Sequence, residues 1–227
     1  MRSPALTALA VALSLSLASS PALAAGKAKA KAKPKPKPVA EAPATPLSPV
    51  AERVVNWVGK SQDNGEYPYI VIDKTAARMF LFDPAGKRVG EAPVLIGIAE
   101  GDDSSPGVGT KALSDLGPAE KTTPAGRYLA KFGYAAGGKR VLWVDYADSV
   151  AIHAVVTGNK KERRLQRLNS PEIDDNRITF GCINVPTAFY SKTVSPLFKK
   201  DGGVVYVLPD TKAPEDVFPA LHADAYL

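Results

Sequence analysis

The sequence predicts a mainly β domain, a mixed β-sandwich or partly closed barrel with one or two short helices. Three observations carry that prediction. From Tyr67 onward, short runs rich in β-branched and aromatic residues recur, separated by Gly, Pro and Asp clusters that read as turns. Only a few stretches have apolar residues at helical spacing. With 227 residues and no internal repeat, the part after residue 50 is long enough for one domain with its own core.

The first 25 residues read as a secretory signal. Arg2 is their sole charge, Leu6 to Leu17 is a short apolar run, and Ala22-Leu23-Ala24 supplies a small-x-small cleavage site. An uncleaved anchor is the alternative, although the run is short for a bilayer. Residues 26–50 form a Lys/Ala/Pro-rich linker that cannot bury a core and whose proline section favours extended polyproline II. At roughly 3 Å per residue it would reach about 75 Å. Within the first 50 residues, Arg2 and six lysines (Lys27, Lys29, Lys31, Lys33, Lys35, Lys37) stand against Glu41, a net of +6, which equals the net charge of the whole chain. The globular part is therefore neutral, and the basic pI of 9.3 gives no support to a nucleic-acid partner. The tail is either a solubilising spacer or a weak tether to anionic envelope surfaces.

In chain order, Ser48-Pro49 opens a helix through Trp57, with Val50, Val54, Trp57 and Val58 on one face. Strands are expected at 67–73 and 77–82, the second closed by the Asp83-Pro84-Ala85-Gly86 turn. Another is expected at 94–98, then a long Gly/Ser/Asp-rich loop over 101–123. Further strands are expected at 126–132, 140–146, 150–155 and 177–183. Asn184 is then expected to cap a helix with Pro186 in its first turn, running to about Lys200, and 204–208 reads as a buried final strand. The implied organisation is a signal peptide (1–25), the linker (26–50), a lead-in helix (51–65), a domain (66–210) and a C-terminal tail (211–227).

Arg177-Ile178-Thr179-Phe180-Gly181-Cys182-Ile183-Asn184-Val185 holds the only cysteine. In an oxidising compartment a lone thiol is a liability. It is either a buried small hydrophobe or a nucleophile. Its place after Gly181, where the chain can turn tightly and leave N–H groups free, favours the nucleophile. Such a thiol needs a base or a cationic neighbour. Of the two histidines, His222 lies in the expected tail, whereas His153 sits in the apolar strand Val150-Ala151-Ile152-His153-Ala154-Val155. His153 is either a satisfied core residue or the partner of Cys182. Two histidines and one cysteine without clustered carboxylates offer no zinc set. Gly107-Val108-Gly109-Thr110-Lys111 lacks the spacing of a phosphate loop. Asp102-Asp103 and Asp174-Asp175 read as solvated loop acids.

With those residues in place, the chain over about residues 66–209 resembles the catalytic domain of the L,D-transpeptidases of the YkuD type, which cross-link bacterial peptidoglycan. His153 followed by Thr179-Phe180-Gly181-Cys182-Ile183-Asn184 matches the family's strand His and Ser/Thr-x-Gly-Cys motif. Thr123-Pro124-Ala125-Gly126-Arg127-Tyr128 resembles its Thr-Pro-x-Gly turn, and the paired strands around Lys74 and Asp83 and the closing Val-Val-Tyr-Val-Leu-Pro strand agree in order. The resemblance implies an L,D-transpeptidase fold. It also implies acyl transfer from a tetrapeptide stem through a Cys182 thioester to an amine, with His153 as base. Ala154 would offer the backbone carbonyl that orients His153. N–H groups near Gly181 and Cys182 would hold the oxyanion, and Thr179, Phe180, Asn184 and Arg177 would border the substrate. No metal or organic cofactor is implied. The partner would be peptidoglycan stem peptides, met after export to a periplasm or cell envelope.

Two departures stand out. Phe180 replaces a second histidine found in many members, and 25 residues separate His153 from Thr179, more than is common in the family. Within that insert, residues 161–168 suggest two helical turns with Leu165 and Leu168 inward. Arg163, Arg164 and Arg167 would either steer carboxylates to the site or form a solvated charged face. Water as acceptor would make the same site a peptidase or amidase. A non-catalytic wall-binding module, marked by Phe180, is the third reading.

Overall fold

A computed structural model describes residues 45–222. The expected signal peptide, and the expected linker up to residue 44, lie outside the described residues. Helix α1 (Pro49–Ser61) starts where Ser48 Oγ accepts the Ala51 N–H at 3.2 Å and Pro49 fills the first position. It runs a turn beyond the expected end at Trp57 and stops at Gln62, which turns left-handed (φ 54°).

Ten strands succeed it: β1 (Tyr69–Asp73), β2 (Arg78–Phe82), β3 (Arg88–Pro93), β4 (Ile96–Gly97), β5 (Gly126–Tyr134), β6 (Arg140–Asp145), β7 (Val150–Ala154), β8 (Arg177–Thr179), β9 (Ile183–Val185) and β10 (Gly203–Val207). Eight of them form one mixed sheet in the order β3-β2-β1-β10-β5-β6-β7-β9. Leu95, two residues after β3, exchanges backbone hydrogen bonds of 2.9 and 2.8 Å with Asn184 on β9, so the sheet curls into a nearly closed barrel. This is the mainly β class that the strand-rich sequence implies.

Alternation along the strands sets two apolar layers. Ile70 and Ile72 of β1 join Val205 and Val207 of β10 inside the barrel, while Tyr69, Val71, Val204 and Tyr206 face outward under α1. Both faces of these paired strands are buried, which is why they read as unbroken apolar runs. Two other short helices, α2 (Arg164–Leu168) and α5 (Pro214–Val217), flank a continuous helical segment. That segment comprises α3 (Thr187–Phe189), a π-helical turn over Tyr190–Val194 and α4 (Ser195–Phe198). Pro196 has no N–H to offer the preceding turn, and the wider π turn absorbs that mismatch. Val194 and Phe198 project from it into the barrel core.

Several boundaries differ from the sequence expectation. The strand expected over 94–98 is only β4. No expected strand corresponds to β3, because its residues are largely half-exposed and lack an apolar alternation. The strand expected over 177–183 is two strands in different sheets. Asn184 is not a helix cap. It lies fully buried within β9, and the helix begins after Pro186. Residues 211–222 do not trail away: Phe218 and Leu221 bury themselves against α1, and Arg53 of that helix bonds the Leu221 carbonyl at 3.2 Å and pairs with Glu215.

Candidate active site

β8 pairs in parallel with β4, whereas β9 pairs in parallel with β7. The chain therefore changes partner strands within Phe180-Gly181-Cys182, and that change makes the turn. Thr179 Oγ1 pins it from within, accepting the Gly181 N–H at 3.2 Å and donating to the Cys182 carbonyl at 2.6 Å. Thr123 Oγ1 pins it from outside, donating to the Gly181 carbonyl at 2.8 Å while accepting the Gly97 N–H at 2.8 Å. Gly181 has φ +123°, and a Cβ there would stand 2.7 Å from the Thr122 carbonyl oxygen. Gly181→Ala is expected to cost about 2 kcal/mol or more and to displace Cys182. Denaturation midpoints and thiol alkylation rates measure the two effects.

His153 lies on β7 directly across from Asn184 on β9. Its Nδ1 is 2.9 Å from the Ala154 carbonyl, which only accepts, so Nδ1 carries the proton. Nε2 is then an acceptor, 3.2 Å from Asn184 Nδ2. The other end of that amide, Oδ1, accepts from Arg164 Nη1 at 2.8 Å. An arginine only donates, so the amide orientation, the imidazole tautomer and the Ala154 bond agree. Burial lowers the His153 pKa below its ordinary 6.5; the Ala154 bond opposes this, and the charges of Arg164 and Lys139 reinforce it.

Cys182 is half-buried, and its Sγ lies 3.5 Å from the Ser149 carbonyl. Burial pushes the thiol pKa above its ordinary 9.0, with the Ala151 N–H and the Arg164 charge pulling the other way. Cys182 and His153 line one cleft of about 480 Å³, together with Trp143, Lys139, Arg140 and Tyr190. At rest, however, the thiol bonds a carbonyl and the imidazole bonds an amide, so the two groups share a cleft without a hydrogen bond between them.

The other expected site residues are dispersed. Phe180 is 37% exposed, with the Lys121 ammonium 4.3 Å from its ring centroid. Arg177 turns away from the cleft to Asp210, at 2.8 Å. Of the three arginines in the basic insert, two bond within the protein and one is solvated. Arg164 reaches inward to Asn184, and Arg167 holds the Glu162 carbonyl at 3.1 Å and the Asp175 carbonyl at 3.2 Å. Arg163 is exposed. Leu168 packs inward as expected, against Leu95 and Val155, but Leu165 is 54% exposed because α2 is too short to bury both.

Behind the turn lies a buried ionic group that sequence reasoning misses. Lys74 Nζ, with no exposed side-chain surface, bonds Asp102 Oδ1 (2.9 Å) and the carbonyls of Gly101 (2.6 Å) and Thr123 (2.9 Å), and stands 3.2 Å from Asp210. Asp102, expected in solvent, is buried, and accepts the N–H groups of Asp210, Thr211 and Lys212 at 2.6 to 2.9 Å. The one sequence signal is a lysine directly after the apolar strand β1.

No family model matches the chain, and no curated protein matches it. Solved structures similar to it include a cysteine-to-serine mutant of an Enterococcus faecium L,D-transpeptidase. That match has 18% identity and a TM-score of 0.34, and covers 63% of this chain and 50% of that one. Another is the helical cell shape determining protein Pgp2 from Campylobacter jejuni, at 15% identity and TM-score 0.42, covering 73% and 57%. A lysine-to-alanine mutant of Pgp2 matches at 14% identity and TM-score 0.41, covering 79% and 63%. The chain thus spans between half and five-eighths of the length of these proteins.

Proposed function

We propose that this chain is an exported peptidoglycan L,D-transpeptidase that works through Cys182 and His153. The observation that carries the reading is the shared cleft. There the sole cysteine stands beside a histidine whose proton is held on Nδ1, leaving Nε2 as the base. In the proposed cycle Nε2 takes the thiol proton, and the thiolate forms a C–S bond to the acyl carbon of a tetrapeptide stem. The imidazolium returns the proton to the departing D-alanine. An amine of a second stem then attacks the thioester, loses its proton and regenerates the thiol. The Gly181 N–H is committed to Thr179, so the Cys182 N–H is the turn's donor for the oxyanion. Because Nε2 has a single lone pair, Asn184 must release it before the thiol can use it.

Among the described residues, Lys139 and Arg140 line the cleft with no acidic residue in its walls, and neither is ion-paired. They are placed for the carboxylate-steering role that the sequence offers to the insert arginines. Lys139→Glu is expected to raise KM for stem peptides about threefold, with a smaller change in kcat. Steady-state kinetics at two ionic strengths checks this.

One observation favours a second reading. The lack of a hydrogen bond between thiol and imidazole at rest also suits a wall-binding module without catalysis. Incubating the protein with purified muropeptides and weighing the products tests both. Cross-linked dimers support the transpeptidase, shortened monomers alone indicate a peptidase, and unchanged substrate with no carbapenem adduct on Cys182 leaves the binding module.

A further inference from the structure

The inserted segment between His153 and Thr179 contributes a side chain to the candidate site that the motif itself does not contain. We infer that Arg164 is a positioning residue: it locks the Asn184 amide in one orientation and thereby keeps His153 neutral, in its Nδ1–H form. This rests on the proposed role of His153 as base.

Arg164 Nη1 holds Asn184 Oδ1 at 2.8 Å, and the guanidinium is itself fixed by Glu162 through its Nε at 2.5 Å. Asn184 is fully buried and its backbone is locked in β9 by Leu95, so only its amide can turn. With Oδ1 taken, the amide offers an N–H to His153 Nε2. Protonating Nε2 would set two N–H groups face to face. To accommodate an imidazolium the amide must flip, and flipping breaks the bond to Arg164 and aims the amide N–H groups at a guanidinium. Arg164 therefore disfavours the charged histidine by geometry as well as by its positive charge.

Without Arg164, the amide is free to present Oδ1 to Nε2–H. Both imidazole N–H groups would then be satisfied, by Asn184 and by Ala154, and the imidazolium would be stabilised. The other groups facing His153 are Lys139 on the β5–β6 connection, Arg140 and Trp143 on β6, Tyr190 on the π turn and Cys182 on the turn between β8 and β9. None of them bonds the Asn184 side chain, so none can replace Arg164 in this role.

The test is an NMR titration of histidine-labelled full-length protein, in which His153 and His222 are the only two imidazoles. Arg164→Met keeps the aliphatic stem and removes the donors. It is expected to raise the His153 protonation midpoint by about one pH unit, a tenfold change, with loss of the pure Nδ1–H signature. Arg164→Lys restores a cationic donor and should return most of the shift. Arg167→Met loosens the same helix without touching Asn184 and should leave the midpoint in place. If Arg164→Met fails to fold, Asn184→Asp supplies acceptors on both sides and should raise the midpoint as well. An unmoved midpoint in Arg164→Met or Asn184→Asp overturns the inference, as does an equal shift in Arg167→Met. Because the titration needs no turnover, it holds or fails independently of whether Cys182 transfers an acyl group.

Discussion

Replacing Lys74 by methionine is expected to destabilise the protein by about 3–5 kcal/mol, the usual cost of removing one partner from a buried ion group. Total stabilities of single domains are about 5–15 kcal/mol, so this is a large share. The side chains of Lys74 and Asp102 are fully buried, so solvent would not screen the carboxylate left behind. Arg177 would still neutralise Asp210, but Asp102 would keep only its backbone donors and Thr211. The damage extends to the candidate site, because Lys74 holds the Thr123 carbonyl while Thr123 Oγ1 holds the Gly181 carbonyl.

Acid sensitivity gives the same prediction a second measurement. Burial opposes ionisation of Asp102, yet the Lys74 bond and the N–H groups of Asp210, Lys212 and Thr211 outweigh it and hold the carboxyl well below the usual carboxylate range. Its folded value is depressed, so its stabilising contribution is complete above the ordinary 3.8 and fades as pH falls through the folded value. Lys74→Met should shrink that contribution. Urea unfolding at pH 7 and pH 3 should therefore separate wild type from variant more widely at the higher pH. Equal midpoints at pH 7 would show that Lys74 carries no such load.

What is legible in the sequence, and what is hidden, divides along physical lines. β1 and β10 are plain because burial on both faces demands consecutive apolar residues. His153 and Cys182 stand out because each is chemically conspicuous in its setting. β3 is hidden because its residues are largely half-exposed and a proline closes it, leaving no periodic signal. The break at 180–182 is hidden as well, since Ile178 and Ile183 suit one strand as well as two. Only the competing partners β4 and β7 divide them. Asn184, two residues before a proline, looks like a cap in sequence. Its burial against His153 and Arg164 depends on a residue 31 positions upstream and another 20 upstream, which no local pattern records. Asp102 belongs to the same class: a charge that local reading assigns to solvent and that tertiary pairing with Lys74 buries.

Cys182→Ala is expected to abolish acyl transfer and carbapenem capture, and His153→Ala to slow transfer by about 10²- to 10⁴-fold while the fold persists. The pH dependence distinguishes the two roles. The proposed base must be neutral to act, so wild-type transfer should fall as pH drops through the lowered His153 value, below the ordinary 6.5. His153→Ala should lose that acid limb and keep only a rise with thiol ionisation. At rest the thiol is raised above 9.0 and bonded to Ser149, so alkylation of Cys182 in the free protein should also rise only at alkaline pH. For the proposed acyl transfer at pH 7, Asn184 must release Nε2 and the thiol must leave Ser149. A transfer rate in His153→Ala within twofold of wild type would remove the base from the mechanism. Free-protein alkylation already at its plateau by pH 7 would instead mean that thiol and imidazole are coupled before any donor arrives.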